Sequence, residues 1–423
     1  MMTVVTVTPM ALEADSRTFK QAATVARAGY RSIVVEGRPS RLQPDMLPFK
    51  LISPDVDPED AVAERPAASS QSSGLRAFLQ RAPESFKWPW RAVRYVAMYA
   101  IDFGLVTFRR TPPASLYYLH AFYQFPAIYC LSRRHGVPYI YDAHDFYSRL
   151  EEPDQISWSR RHLVLPFERW LERKCIKHAA AIVTVADGIA DLLRETFGCE
   201  SVVIRNCHDS RLDQEHPPAM RETIGIRPDD FLVVVIGRAK KGRAILELLQ
   251  AVADLPDKVH VAFLGSGYQD KFADDVQRLG LAGRVHFVPP VKPFEVVPFV
   301  RSADAAAILY YARSVNYAYS LPNGFFQSVA AELPVLYPDL IEIKKVAEHF
   351  DIGIRIDPRN SQSLRAGIET LRNDNGRYEQ LRRNLRKAHI TLDWEKEEKK
   401  LHELLADILV EKAQLESPTP ASR

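Results

Sequence analysis

Six consecutive apolar residues, FLVVVI at 231–236, run directly into a loop of glycine and basic residues, Gly237-Arg238-Ala239-Lys240-Lys241-Gly242-Arg243. Ile245, Leu248, Leu249 and Val252 follow at i, i+3, i+4 and i+7, the spacing of one helical face. An all-apolar run feeding a helix through a short loop predicts a buried strand at the start of an α/β domain. The same rhythm opens the chain. A β-branched run at 3–8, helical spacing at 19–28 and a second strand at 32–35 make one βαβ unit. Further short strands are predicted at 116–119, 139–141, 180–185, 259–264, 285–288, 305–310, 335–337 and 354–356. Helical segments are predicted at 125–134 and 162–178, through Leu371, and from Trp394 onward.

Single hydrophobic cores stop growing near roughly 250–300 residues, so 423 residues imply two domains. The polar stretch 210–220, with Pro217-Pro218, reads as the link between them. The expected division is 1–212, 213–394, a helix at 395–413 and a disordered tail at 414–423. Lys plus Arg total 56 against 53 Asp plus Glu, a balance that gives no global argument for nucleic acid. The 4 cysteines, Cys130, Cys175, Cys199 and Cys207, lack metal-ligand spacing and form no disulfide framework, which fits a reducing cytoplasm. The first ten residues read as a strand and not a signal peptide, and the most apolar long segment, 92–108, is broken by Arg94 and Asp102.

Several motifs carry chemistry. The loop 237–243 joins a strand end to a helix start, where free N–H groups and cations suit a pyrophosphate; it is no Walker A motif, because no Ser or Thr follows a Gly-Lys. In SLPNGFFQSVAAELPV, at 320–335, Asn323 stands where an N-cap belongs, with the helix beginning at Gly324 and Phe326, Val329, Ala330 and Leu333 facing inward. That start suits an anion, or is an ordinary capped core helix. His120 follows a strand, as does Asp142-Ala143-His144-Asp145, and strand C-termini are where parallel sheets bind ligands. Asp15 and Arg17 precede the first helix, as acceptor contacts or as a cap with charge pairing. Asp55 and Asp57 form an Asp-x-Asp in a Pro- and Ser-rich loop at 53–74, a poor setting for a metal. The stretch 75–110 interleaves Trp88 and Trp90 with arginines and suits an anionic bilayer surface or an ordinary domain helix. The mixed charges of 162–178 read as a solvated helix face.

The segment LPN-GFFQ-SVAAELPV resembles the donor-binding segment of retaining GT-B glycosyltransferases of family 4, with Gly324 for a Lys, Gln327 for a ribose-binding Glu, Glu332 for a Gly and Tyr319 for an acidic residue. YDAHDFY is similar to that family's DAHE segment, Arg238 and Lys241 to its GR…KG signature, Asp15 and Arg17 to its opening segment, and Asn206 to its Asn before the interdomain link. The resemblance implies an α/β GT-B fold, two facing Rossmann-like doubly wound domains with a C-terminal helix crossing back to the first. It implies a retaining transferase, using a nucleotide-diphosphate sugar and no cofactor or metal. In that reading His144, Arg238 and Lys241 are catalytic. Gly237, Arg243, Val291, Asn316, Leu321, Pro322, Asn323 and Gln327 bind the donor, and Asp15, Arg17, His120 and Asp142 the acceptor, a glycan or lipid-linked hydroxyl. The enzyme would be cytoplasmic, with peripheral contact at the inner face of the plasma membrane. The rival readings are a non-catalytic GT-B relative acting as a binding subunit and a GT-B sugar-nucleotide epimerase.

Overall fold

The computed structural model describes residues 1–54, 95, 98–149, 156–158, 160–213 and 218–416. Its first sheet contains β1 (Thr3–Thr8), β2 (Arg31–Glu36), β3 (Lys50–Ile52), β4 (Leu116–His120), β5 (Tyr139–Ala143), β6 (Ala181–Thr184) and β7 (Val202–Val203), in the order β3-β2-β1-β4-β5-β6-β7. The second contains β8 (Phe231–Ile236), β9 (Val259–Leu264), β10 (Val285–Val288), β11 (Ala305–Ala307), β12 (Val335–Pro338) and β13 (Gly353–Ile356), in the order β10-β9-β8-β11-β12-β13. Every pairing is parallel; Val5 stands opposite Ile33 and Tyr117, and Val233 opposite Val261 and Ala305. Val4, Val5, Val7, Val233, Val234 and Val235 are buried to within 1 %, because helices cover both faces of each sheet.

Both sheets are doubly wound, and in each the strand order reverses beside the first strand, between β1 and β4 and between β8 and β11. Loops leaving the two strands at such a point diverge and open a crevice beyond their C-terminal ends. The helices that matter to this crevice are α1 (Ser16–Arg27), α2 (Phe125–His135), α3 (Leu165–His178), α4 (Asp187–Phe197), α5 (Ile245–Ala253) and α6 (Asn323–Ala330). A final helix, α7 (Trp394–Glu416), returns to the first sheet. Trp394, Leu401, Leu405, Ile408 and Leu409 share one core with Val4, Leu116, Tyr118, Ile140 and Ile204. The Trp394 indole donates to Thr24 Oγ1 at 3.0 Å, and Arg27 pairs with Glu398 at 2.6 Å.

Three local expectations change. Strand β11 stops at Ala307 and not at Tyr310, since Leu309 and Tyr310 already belong to the loop that meets Ala244 and Arg243. Pro322, extended at φ −71° and ψ 150°, is the N-cap of α6, and Asn323 is the first helical residue with no capping bond. Pro334, which the sequence offers as the stop of that helix, does not end it. Ala331 caps it, and Glu332 adopts φ 57°, so that Glu332 N–H reaches Val329 O and Leu333 N–H reaches Ser328 O in a Schellman turn. Such a left-handed position favours glycine. The Asp55-x-Asp57 pair, most of 75–97 and residues 417–423 lie outside the described residues.

Candidate functional site

The crevices of the two sheets face each other across a cleft of about 540 Å³. Asp15, Arg17, His144 and Asp145 bound it on one side, and Lys240, Asn316, Leu321, Pro322 and Asn323 on the other. A smaller, mostly apolar chamber of about 120 Å³ lies next to it, lined by Leu12, Phe19, Leu42, Pro293, Phe294 and Phe326, with Lys20 and Gln327 at its polar edge. Ser16, Asn206 and Asn323 border both chambers. There Asn206 Nδ2 donates to Asn323 Oδ1, and Asn323 Nδ2 to Ser16 Oγ at 3.3 Å. Asn323 therefore bridges the two sides and does not cap its own helix.

On the first side the side chains are ordered by one buried carboxylate. Asp142, fully buried at the end of β5, receives Arg17 Nε at 3.0 and 3.2 Å, Gln21 Nε2 at 2.9 Å and the Tyr118 hydroxyl at 3.3 Å. Burial alone raises its pKa, but the Arg17 guanidinium and the two histidines outweigh that and hold it below the ordinary carboxylate value. His120 is fully buried too. Burial drives its pKa down to about 4, so it is neutral at pH 7, with Nδ1 3.9 Å from Asp142 Oδ2. Neither residue can touch an acceptor directly, and the acceptor contacts expected of His120 and Asp142 are corrected to a supporting position behind Arg17 and His144. Asp15 caps α1, accepting from Thr18 N–H at 3.1 Å and from Thr8 Oγ1 at 2.9 Å, so the cap reading holds while the residue also bounds the cleft.

His144 does face the cleft. Its Nε2 is 3.1 Å from the Tyr147 hydroxyl and its Nδ1 4.0 Å from Asp142 Oδ1. Among the described residues His120, Asp142 and His144 form a group whose possible metal-ligating atoms all lie within 4.8 Å of one another. Both Asp142 oxygens are already engaged by donors, chiefly Arg17, which disfavours a cation there. The loop that carries His144 is held from the other domain: Asn316 Oδ1 accepts from Phe146 N–H at 2.7 Å, and its Nδ2 donates to Asp145 Oδ1 at 3.0 Å. Nearby, Glu342 Oε1 accepts from Gly188 N–H at 2.8 Å at the start of α4. A Cβ on Gly188 would meet the Tyr319 ring at 2.3 Å, so this close approach needs glycine.

The basic loop divides into two kinds of cation. Arg243 donates to Ile236 O and Gly237 O at 3.2 Å each and to the Tyr268 and Tyr310 hydroxyls at 2.5 Å each, and lies 4.6 Å from the Tyr310 ring centre. It is a clamp that shapes the loop, with Gly237 at φ 98° turning the chain away from β8. Arg243 is half-buried and does not border the larger chamber, so the donor-binding role expected of it finds no support there. Arg238, Lys240 and Lys241 are exposed, and Lys240, which motif matching passed over, is the one that bounds the cleft. Val291 packs against the core, and Pro293 and Phe294 just beyond it reach the smaller chamber. Lys20 was not foreseen: its ammonium donates to Asn206 O and Cys207 O beneath that chamber, and burial lowers its pKa to about 7.

Comparison with known proteins gives a consistent picture. Residues 14–207 match the model for the glycosyl transferase 4-like domain, and residues 218–388 that for glycosyl transferases group 1. The D-inositol 3-phosphate glycosyltransferase of Rhodococcus jostii is 22 % identical over 278 residues, 62 % of this chain and 59 % of that protein. The enzyme of the same description from a Mycobacterium species is 33 % identical over 130 residues, 27 % of this chain and 30 % of that protein. The chain thus spans under two thirds of the length of these curated relatives. Sucrose-phosphate synthase from Thermosynechococcus elongatus superposes with a TM-score of 0.68 at 14 % identity, over 97 % of this chain and all of that one. Anabaena HepE in complex with UDP-glucose does so with a TM-score of 0.67 at 17 % identity, over 96 % of this chain and all of that one.

Proposed function

Because the chain belongs to the family 4-like glycosyltransferases of the GT-B fold, we propose that it moves a sugar from a nucleotide-diphosphate sugar to an acceptor hydroxyl, retaining the anomeric configuration and needing no metal. The supporting observation is the two-chambered cleft, with a cation, a helix start and a histidine converging on the larger chamber. The nucleoside occupies the smaller chamber against Phe294 and Phe326, with Gln327 toward the ribose. The diphosphate lies at the start of α6, where unpaired N–H groups and Lys240, flanked by Arg238 and Lys241, oppose its charge. The sugar then sits between His144 and Asp145 on one side and Leu321 and Pro322 on the other.

In this reading the acceptor hydroxyl attacks from the face the leaving phosphate departs, the sugar–phosphate C–O bond breaking as the new C–O bond forms and the hydroxyl proton passing to the departing phosphate, while the basic loop neutralises the charge that develops on that phosphate, an effect worth several kcal/mol in a water-poor cleft. Arg17, held by Asp142, and Asp15 orient the acceptor, a glycan or lipid-linked hydroxyl. Tyr319 and Gln327, in place of two acidic residues, support the second reading of a binding subunit without turnover. No described helix is long and apolar enough to cross a membrane, and attachment at the inner membrane face is peripheral. The test is mass spectrometry of the protein incubated with a panel of nucleotide-sugars, with and without acceptor. Acceptor-dependent release of nucleoside diphosphate supports transfer; a modified nucleotide-sugar without acceptor indicates an epimerase; tight binding with no product indicates the subunit.

A further inference from the structure

Helix α3 sorts its charges in a way that mixed composition conceals. Its two acids turn inward. Glu168 accepts from the Tyr99 hydroxyl at 3.0 Å and pairs with Arg160 at 3.2 Å, and Glu172, 1 % exposed, accepts from the Tyr141 hydroxyl at 3.0 Å. Arg173, Lys174 and Lys177 point outward. The solvated-face expectation is therefore corrected: among the described residues the outer face of α3 carries positive charge and no acid. It is also apolar. Leu163, Phe167, Trp170, Lys174 and Lys177 follow one another at spacings of four, three, four and three, which puts them on one stripe.

On that stripe Leu163 and Phe167 are 43 % exposed and Trp170 53 %, and Trp158 just before it is 68 % exposed. The ring of Tyr99 meets Phe167 edge-on at 5.3 Å, so the π-helical segment Met98–Val106 lies alongside and adds Ile101 and Leu105, 52 % and 45 % exposed. Half of the large, exposed hydrophobic side chains among the described residues, seven of fourteen, fall between 98 and 106 or between 158 and 170. A contiguous patch of this kind, with two tryptophans and a cationic flank, matches the headgroup region of an anionic bilayer, where Trp settles at the interface and each cation adds attraction. The charge decides the occupant: it complements acidic lipid, and it opposes a second copy of the same cationic face.

We propose that the outer face of α3, with the adjoining turn at Ile101 and Leu105, docks on an anionic lipid surface. The inference rests on the peripheral-attachment reading and adds the face that makes the contact. The experiment is co-sedimentation of the full chain with vesicles of phosphatidylcholine alone or mixed with phosphatidylglycerol, at low and high salt. The expected result is binding to the mixed vesicles only, weakened by salt. Trp170→Ser, and separately Lys174→Glu with Lys177→Glu, should each lower the partition coefficient about tenfold, with an unchanged melting temperature because the side chains are exposed. If the parent protein binds but neither variant weakens it, the face is wrong and peripheral attachment stands. If the parent protein does not sediment with the mixed vesicles, both ideas fall. If Trp170→Ser instead converts a dimer to a monomer in light scattering and vesicle binding is absent, the face is a self-interface and the proposal is overturned.

Discussion

Arg243 and Lys240 are three residues apart in one basic loop, and their surroundings differ: Arg243 is spent on the loop itself, whereas Lys240 borders the cleft. Replacing Arg243 by Ala removes donors from Ile236 O, Gly237 O and two tyrosine hydroxyls, and empties the position over the Tyr310 ring. Hydrogen bonds to a charged group are worth about 1.5–3 kcal/mol each, but four made by one guanidinium do not add. The hydroxyls can turn to new partners, whereas the two carbonyls beneath the loop cannot. A loss of about 3 kcal/mol follows, or a melting temperature lower by roughly 6–12 °C if the second domain unfolds as a unit. Lys240→Ala removes an exposed side chain at the edge of the cleft, so stability should stay within about 0.5 kcal/mol. Its effect should fall on ligand: affinity for the best bound of UDP, GDP and ADP should drop about tenfold, the worth of one charge-assisted contact. Calorimetric melting and isothermal titration on the same two proteins read both quantities. The reasoning is refuted if Arg243→Ala melts like the parent and loses nucleotide affinity as Lys240→Ala does, because the guanidinium would then leave its clamp to meet ligand.

Asn316→Ala should leave Phe146 N–H buried without its partner, at a cost of about 1–3 kcal/mol to the contact between the two domains; the expected outcome is a larger radius of gyration by small-angle scattering, and an unchanged radius would deny Asn316 a role in holding the domains together. Burial holds His120 at about 4 in the folded chain against an ordinary 6.5, so the unfolded chain binds the extra proton between those values. The His120 contribution to stability is therefore fullest above about pH 6.5 and falls by up to about 1.4 kcal/mol per pH unit toward pH 4; His120→Gln should reduce the slope of stability against pH in that window in denaturant titrations, and an equal slope in both proteins would contradict a neutral buried imidazole. Gln327→Glu restores a charged acceptor at the edge of the smaller chamber and should tighten nucleotide-sugar binding severalfold with little change in kcat; a large change in kcat at constant KM would place residue 327 in the chemistry.

Strands were legible where both faces are covered, because an all-apolar run such as 231–236 leaves no other reading, and 259–264 and 285–288 match to the residue. Strands β3 and β7, of three and two residues, are too short to show a pattern and went unseen. The position of His144 at the cleft was legible through the rule that parallel sheets open crevices beyond their strand ends. What the chain conceals are choices made by distant partners. Arg243 is claimed by Tyr268 and Tyr310, 25 and 67 positions away, and Asn323 by Asn206, 117 positions away, so neither role is written in the local motif. Lys240 and Lys241 are adjacent and chemically equal, and only the path of the backbone from Gly237 to Gly242 decides which one faces the cleft.

The return of α7 to the first sheet has a consequence in time. Strand β7 completes that sheet at Val203, but Trp394, Leu401 and Leu405, which cover Val4, Leu116 and Ile140, leave the ribosome roughly 190 residues later, a wait of about 10–40 s at ordinary rates of synthesis. Throughout that interval the nascent first domain carries an uncovered apolar face and lacks the Trp394 indole that donates to the Thr24 hydroxyl. Its native form is reached only after the second domain has been made, so the order of synthesis and the order of completion are reversed, and the exposed face of the waiting intermediate is where a chaperone would engage this chain.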